Sequence, residues 1–190
     1  MNKMKFSMLA IAMSLGCATS AMALTSAEHK AQNNRIEADY KAARDKCGSL
    51  NGNAKDICVS EAKGMEKVAK AENDAQYKPS AKATAKVNEA KADATYDTAK
   101  EKCDDLSGNA KDVCVKDAKA AHTAALGNAK VAEKSMKTTD GKTAKVAEAR
   151  QEASADTKKA QYAAAKERCD AMSGNAKDTC IADAKTKYGM

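Results

Sequence analysis

Six cysteines fall in three pairs, Cys47 with Cys58, Cys103 with Cys114 and Cys169 with Cys180, and ten residues separate the members of each pair. Paired thiols can cross-link a chain, bind a soft metal or cycle between redox states. Dithiol redox chemistry runs on C-x-x-C, which is absent here. Tetrahedral zinc needs four ligands, and the C-x10-C spacing fits no zinc knuckle. Two thiols without a repeated histidine would make a two-coordinate site suited to a soft ion such as Cu(I). His122 follows Cys114 by eight residues, but the other copies have no histidine there, and His29 stands alone. Both histidines read as ordinary surface residues. A structural disulfide within each pair is the leading reading, with no metal and no cofactor; a Cu(I)-binding or thiol-buffering protein is the alternative.

The elements that position these sulfurs are written three times. The copies are "ADYKAARDKCGSLNGNAKDICVSEAK" at 38–63, "ATYDTAKEKCDDLSGNAKDVCVKDAK" at 94–119 and "AQYAAAKERCDAMSGNAKDTCIADAK" at 160–185. Tyr40, Cys47 and Leu50 are spaced to share one face of a helix, as are Tyr96, Cys103 and Leu106, and Tyr162, Cys169 and Met172. Gly52, Gly108 and Gly174 stand where a helix would stop in a left-handed residue. Asn53, Asn109 and Asn175 then read as N-caps of the next helix. Asp56, Asp112 and Asp178 fall where a carboxylate completes a capping box and complements the helix dipole. Each "GNAKD" is one stop and one start, a tight αα turn. Across such a hairpin the two cysteines face each other at disulfide spacing. The predicted bridges are Cys47–Cys58, Cys103–Cys114 and Cys169–Cys180, each worth roughly 3 kcal/mol on the chain-entropy model.

That stabilisation matters because large apolar side chains are scarce. The chain has no Trp, one Phe and five Tyr. Alanine, lysine and glutamate form helices readily but bury little. The expected fold is all-α, an elongated array of antiparallel helical hairpins, each with a C-x10-C staple and weak packing between copies. "KPSAK" at 78–82 should interrupt the helix leaving the first copy. "LGNAK" at 126–130 resembles a degenerate turn, and "TTDGK" at 138–142 is a further break. The stretch 24–34 is expected to fray. The expected division is a leader at 1–23 and hairpin repeats at 24–79, 80–140 (with a spacer helix) and 141–190.

The leader reads as a secretory signal peptide: Lys3 and Lys5, an apolar run from Phe6 to Ala18, and the small-x-small site Ala21-Met22-Ala23. Cys17 has Ser14 three residues before it, where a lipobox carries a leucine-like residue. Cleavage after about Ala23 would leave no apolar run of the roughly 20 residues that a membrane span needs. It would also leave 31 basic against 26 acidic residues, a net charge of +5. Only four of the basic residues are arginine, and the lysines alternate with Asp and Glu. That pattern is a solvated mixed-charge surface and not a nucleic-acid face; attraction to an anionic envelope component remains open. Export to an oxidising compartment suits the disulfides.

Catalysis has no motif here. There is no glycine-rich phosphate loop and no G-x-S-x-G, and slender alanine-rich helices make a poor apolar pocket. Tyr40, Tyr96 and Tyr162 either seal the hairpin seams or form a row of partner-binding aromatics. The repeated C-x-x-[LM]-x-GNAKD-x-C-V hairpin resembles that of small exported Ala/Lys-rich proteins of Gram-negative bacteria, the TolA-like cell-envelope proteins. The resemblance implies a periplasmic location and an envelope role. It does not imply energy transduction, since neither an N-terminal anchor nor a globular C-terminal domain is expected here. The expected function is non-catalytic: a periplasmic helical repeat protein with a structural, interaction or envelope-stress role, its partners envelope proteins. A chaperone-like binder of unfolded clients is the alternative within that class. Oligomeric state has no signature in the sequence.

Overall fold

The computed structural model describes residues 23–137 and 143–190. All regular structure among them is helical: α1 (Ser26–Cys47), α2 (Gly52–Tyr77), α3 (Ala81–Cys103), α4 (Gly108–Met136), α5 (Thr143–Cys169) and α6 (Gly174–Tyr188). Each helix packs only on its neighbours in the chain, so the molecule is an extended row of antiparallel helices. Apart from Ala23, the expected leader lies outside the described residues, as does the break expected at 138–142.

Alanine-rich helices need defined ends, and the sequence supplies them. Thr25 and Glu28 form a capping box at the start of α1, with the Glu28 carboxylate accepting from the Thr25 amide at 2.8 Å. From Ser26 onward the stretch expected to fray is therefore capped helix, with Thr25 as its extended cap. Its anchor is the seam with α2, where Asn73, itself buried, donates to the His29 carbonyl and to Asn33 Oδ1 at 2.9 and 3.0 Å. Lys78 and Pro79 end α2, as a proline must, and Ser80 caps α3 by accepting from the Ala83 amide at 3.0 Å.

The core is as thin as the composition requires. Its buried apolar residues are alanines, Ile36, Val146 and the first cysteine of each pair, and the cysteines are the largest fully buried side chains. Ala side chains remove little apolar surface from water, at roughly 25 cal/mol per Å². The most extensive packing lies between hairpins, α4 on α5 above all, and not within them. The expectation of weak packing between copies is thus overturned, and glycine is the reason. A β-carbon on Gly64 of α2 would stand 2.8 Å from the Ala94 Cβ of α3, and one on Gly127 of α4 would stand 2.8 Å from the Ala153 Cβ of α5. "LGNAK" at 126–130 is accordingly not a turn. α4 continues through it, and at Gly127 α5 leaves no room for a β-carbon.

Candidate functional site: the clasped turns and the seams between hairpins

All three local disulfides are present. Cys47–Cys58, Cys103–Cys114 and Cys169–Cys180 have Cα–Cα separations of 5.6, 5.6 and 5.7 Å, within the normal range for a bridge. Sulfurs consumed in this way are not thiolate ligands. Among the described residues, no group of three or more His, Cys, Asp or Glu side chains gathers as a metal site would require.

The GNAKD turn is built differently from the stop-and-start expected of it. The first helix of each hairpin ends on the cysteine itself, and four residues follow before the next helix begins on the glycine. The N-caps are Asn51, Ser107 and Ser173, all extended. Gly52, Gly108 and Gly174 have φ of 56°, 55° and 57°, a conformation that costs L-residues dearly and glycine little. The left-handed glycine thus opens the second helix instead of closing the first. This displaces the rest of the motif. Asn53, Asn109 and Asn175 lie inside the helix and are not caps. Asp56, Asp112 and Asp178 fall beyond the first turn and complete no capping box. Leu50, Leu106 and Met172 leave the helical face for the loop, where they are exposed.

The asparagines serve the next hairpin instead. Asn53 Nδ2 donates to the Glu101 carbonyl at 2.7 Å, and Asn109 Nδ2 donates to the Glu167 carbonyl at 2.8 Å. Beside these bonds, Lys102 pairs with Glu61 at 3.2 Å, and Arg168 Nη2 donates to both oxygens of Asp117, at 2.6 Å to Oδ2. Sequence reading missed these partners, though a signal was there. An acidic residue stands three positions after each second cysteine (Glu61, Asp117, Asp183), and a basic one stands just before each first cysteine (Lys46, Lys102, Arg168). The motif lysine has a partner too: Lys111 and Lys177 reach back to Asp104 and Asp170 at 2.9 and 2.8 Å. The first copy has Gly48 at that place.

The histidines are not plain surface residues. His29 stacks on Tyr77 with ring centroids 4.5 Å apart, and its Nε2 lies 2.8 Å from Asp74. His122 stacks on Tyr96 at 4.7 Å, and its Nε2 lies 2.7 Å from Asp93. In both cases an Asp-x-x-Tyr pair on one helix holds a histidine from its partner helix. Asp93 also accepts from Lys67 at 2.6 Å, so one carboxylate ties α3 to both α2 and α4. Burial opposes ionisation of Asp93, but the Lys67 and His122 hydrogen bonds outweigh it and hold the carboxyl below its ordinary range. Tyr40, Tyr96 and Tyr162 are all half-buried, and Tyr96 packs inside its own hairpin.

An open apolar groove of about 610 Å³ runs along α2 and α3, with Met65, Val68, Ala69 and Ala99 in its walls. Among the described residues no helix is long and apolar enough to cross a membrane. No protein-family model matches the chain, nor does any curated protein or solved structure compared with it.

Proposed function

We propose that this is a non-catalytic, exported helical repeat protein with a structural or interaction role in the bacterial cell envelope. One observation carries the reading: wherever a hairpin has a neighbour, the repeated residues bond to the chain itself. The cysteines close each hairpin, the asparagines and the acid–base pairs join one hairpin to the next, and the glycines set the turn. A catalytic repeat would turn its recurrent polar groups toward a shared cavity. These are spent on making a stiff, periodic rod of charged surface. The disulfides suit an oxidising compartment, and the resemblance of the hairpin to TolA-like envelope proteins points the same way.

Crosslinking in intact cells, followed by identification of what is attached, tests the role. Recovery of one outer-membrane or peptidoglycan-linked partner supports it. A broad set of unfolded clients would replace it with the chaperone reading, which the exposed Met65 on the α2–α3 groove favours. Fractionation with N-terminal sequencing tests export. A mature chain beginning near Leu24 is the expected result, and an uncleaved cytosolic chain would overturn it.

A further inference from the structure

The two seams between hairpins share one register. In each, the asparagine after the turn glycine donates to the carbonyl two residues before the next hairpin's first cysteine: Asn53 to Glu101, Asn109 to Glu167. In each, the acid three residues after the second cysteine pairs with the base just before the next first cysteine: Glu61 with Lys102, Asp117 with Arg168. The Gly–Ala close approach follows the same register. Gly127 lies seven residues further from its turn than Gly64 does, and Ala153 lies seven further from its cysteine than Ala94. The contact has moved by one heptad along an unchanged alignment.

The outermost helices carry the two halves of a third such seam. α6 has one half, the Asn175 amide and the Asp183 carboxylate. α1 has the other, the Asp45 carbonyl and the Lys46 ammonium. The facing residues are small on both sides. Ala182 stands where Ser60 stands on α2, and Ala38 and Ala42 stand where Ala94 and Thr98 stand on α3. Thr186 stands where α2 has Gly64 and α4 has Ala120, so at this place the contact can follow the second seam, which takes a β-carbon, and not the tighter Gly64–Ala94 approach. Exposure separates the inner members from the outer ones. Asn53, Asn109, Glu61 and Asp117 are half-covered by the next hairpin, whereas Asn175 and Asp183 are exposed. Ala94, Thr98, Glu101 and Glu167 are half-covered, whereas Ala38, Ala42 and Asp45 are exposed; the bases Lys46, Lys102 and Arg168 are exposed alike. The Glu101 and Glu167 carbonyls each also accept the amide three residues on, and the Asp45 carbonyl accepts that of Gly48 in the same way. A lone pair for a second donor is left in all three.

We propose that the outer face of α6 docks on the outer face of α1 of a second copy of this chain. Asn175 donates to the Asp45 carbonyl of the second copy, and Asp183 pairs with its Lys46, so the helical array continues head to tail. Such a contact joins two different patches and therefore propagates. α6 is only 15 residues long. The intermolecular seam thus has the turn-proximal contacts and lacks an equivalent of the Lys67–Asp93 pair further along. It is weaker than the internal seams and loosened by salt. The proposal gives the structural role above a partner and rests on that role for its purpose, but its contacts stand on the register alone.

Sedimentation velocity on the disulfide-intact chain, from about 10 μM to about 1 mM at low salt, reads the association over the range of a weak contact. The expected result is an average mass that rises with concentration and falls with added salt. Asp183→Lys alone and Lys46→Asp alone should each abolish the rise by placing like charges together, and the double variant should restore it. Both positions are exposed, so circular dichroism and melting of the single variants should match the parent in dilute solution. Carbodiimide crosslinking of a mixture of unlabelled and nitrogen-labelled chains should yield mixed-isotope Asp183–Lys46 peptides. A monomer at every concentration, association indifferent to the charge swap, or crosslinks confined to one chain would each overturn the proposal. None of these results bears on which envelope partner is captured in cells.

Discussion

Gly64 and Ala94 meet so closely that the two helices leave no room for a methyl group: a β-carbon added to Gly64 would lie 2.8 Å from that of Ala94 and 3.3 Å from its Cα. Two opposed effects act on Gly64→Ala. Alanine gains up to about 1 kcal/mol of helix propensity over glycine. Against that, the clash is with a Cβ fixed to its backbone, so α2 and α3 must part, and overpacking of this kind costs about 1–3 kcal/mol. The net expectation is destabilisation of about 1 kcal/mol, measured by urea unfolding. Adding Ala94→Gly should recover most of the loss of contact, because the methyl has then only changed sides.

The three motif asparagines give a test with an internal control. Each Asn→Ala substitution gains the same helix propensity, but only Asn53 and Asn109 lose a bond to the following hairpin. In dilute solution Asn53→Ala and Asn109→Ala should each be less stable than Asn175→Ala by about 1 kcal/mol, the net worth of one hydrogen bond. Equal effects at all three positions would mean that the asparagines act within their own turns.

The same comparison shows what the sequence made legible. Disulfide pairing, the break at Pro79 and the helical class depend on residues close in the chain or on composition, and they could be read directly. Glycine's role could not, because a left-handed residue suits either end of a helix. Which end it serves was decided by Ser107 and Ser173, extended just ahead of it, residues to which the repeat alignment gave no role. The seams were hidden for another reason. A glycine such as Gly127 in "LGNAK" looks like a turn until the helix packed on it is known, and residues such as Asp117 and Arg168 lie 51 apart. His29 and His122 gave no periodic sign, since one is on the first helix of its hairpin and the other on the second.

Loss of a staple should be felt unevenly. Each bridge closes a loop with a sequence separation of 11, so the chain-entropy model assigns all three roughly 3 kcal/mol. The consequences differ because α6 packs on α5 alone, whereas α4 lies between α3 and α5. Cys169→Ala with Cys180→Ala should release α6 locally, seen as loss of hydrogen-exchange protection over 174–188 while α4 stays protected. The same pair of substitutions at Cys103 and Cys114 should instead lower the melting temperature of the whole array. Intact mass supplies the prior check: full reduction should add about 6 Da, two hydrogens for each bridge.

Asp93 should make the array acid-sensitive at its centre. Its carboxyl holds Lys67 and His122 at once, and those bonds, outweighing its burial, set its pKa below the ordinary aspartate value. A group depressed on folding adds stability above its unfolded pKa, and that stability is lost as pH falls through the folded value. The contribution is therefore fully present at neutral pH, begins to fall below about pH 4, where unfolded aspartate titrates, and is gone only below the lower folded value. The side chain is 33% exposed, so solvent screening limits the contribution to about 1 kcal/mol. Asp93→Asn should lower the melting temperature more at pH 7 than at pH 3, shrinking the gap between the two. If the variant lost as much stability at pH 3 as at pH 7, the carboxylate charge would not be what joins α2, α3 and α4. The shape of the amide would then be carrying the junction.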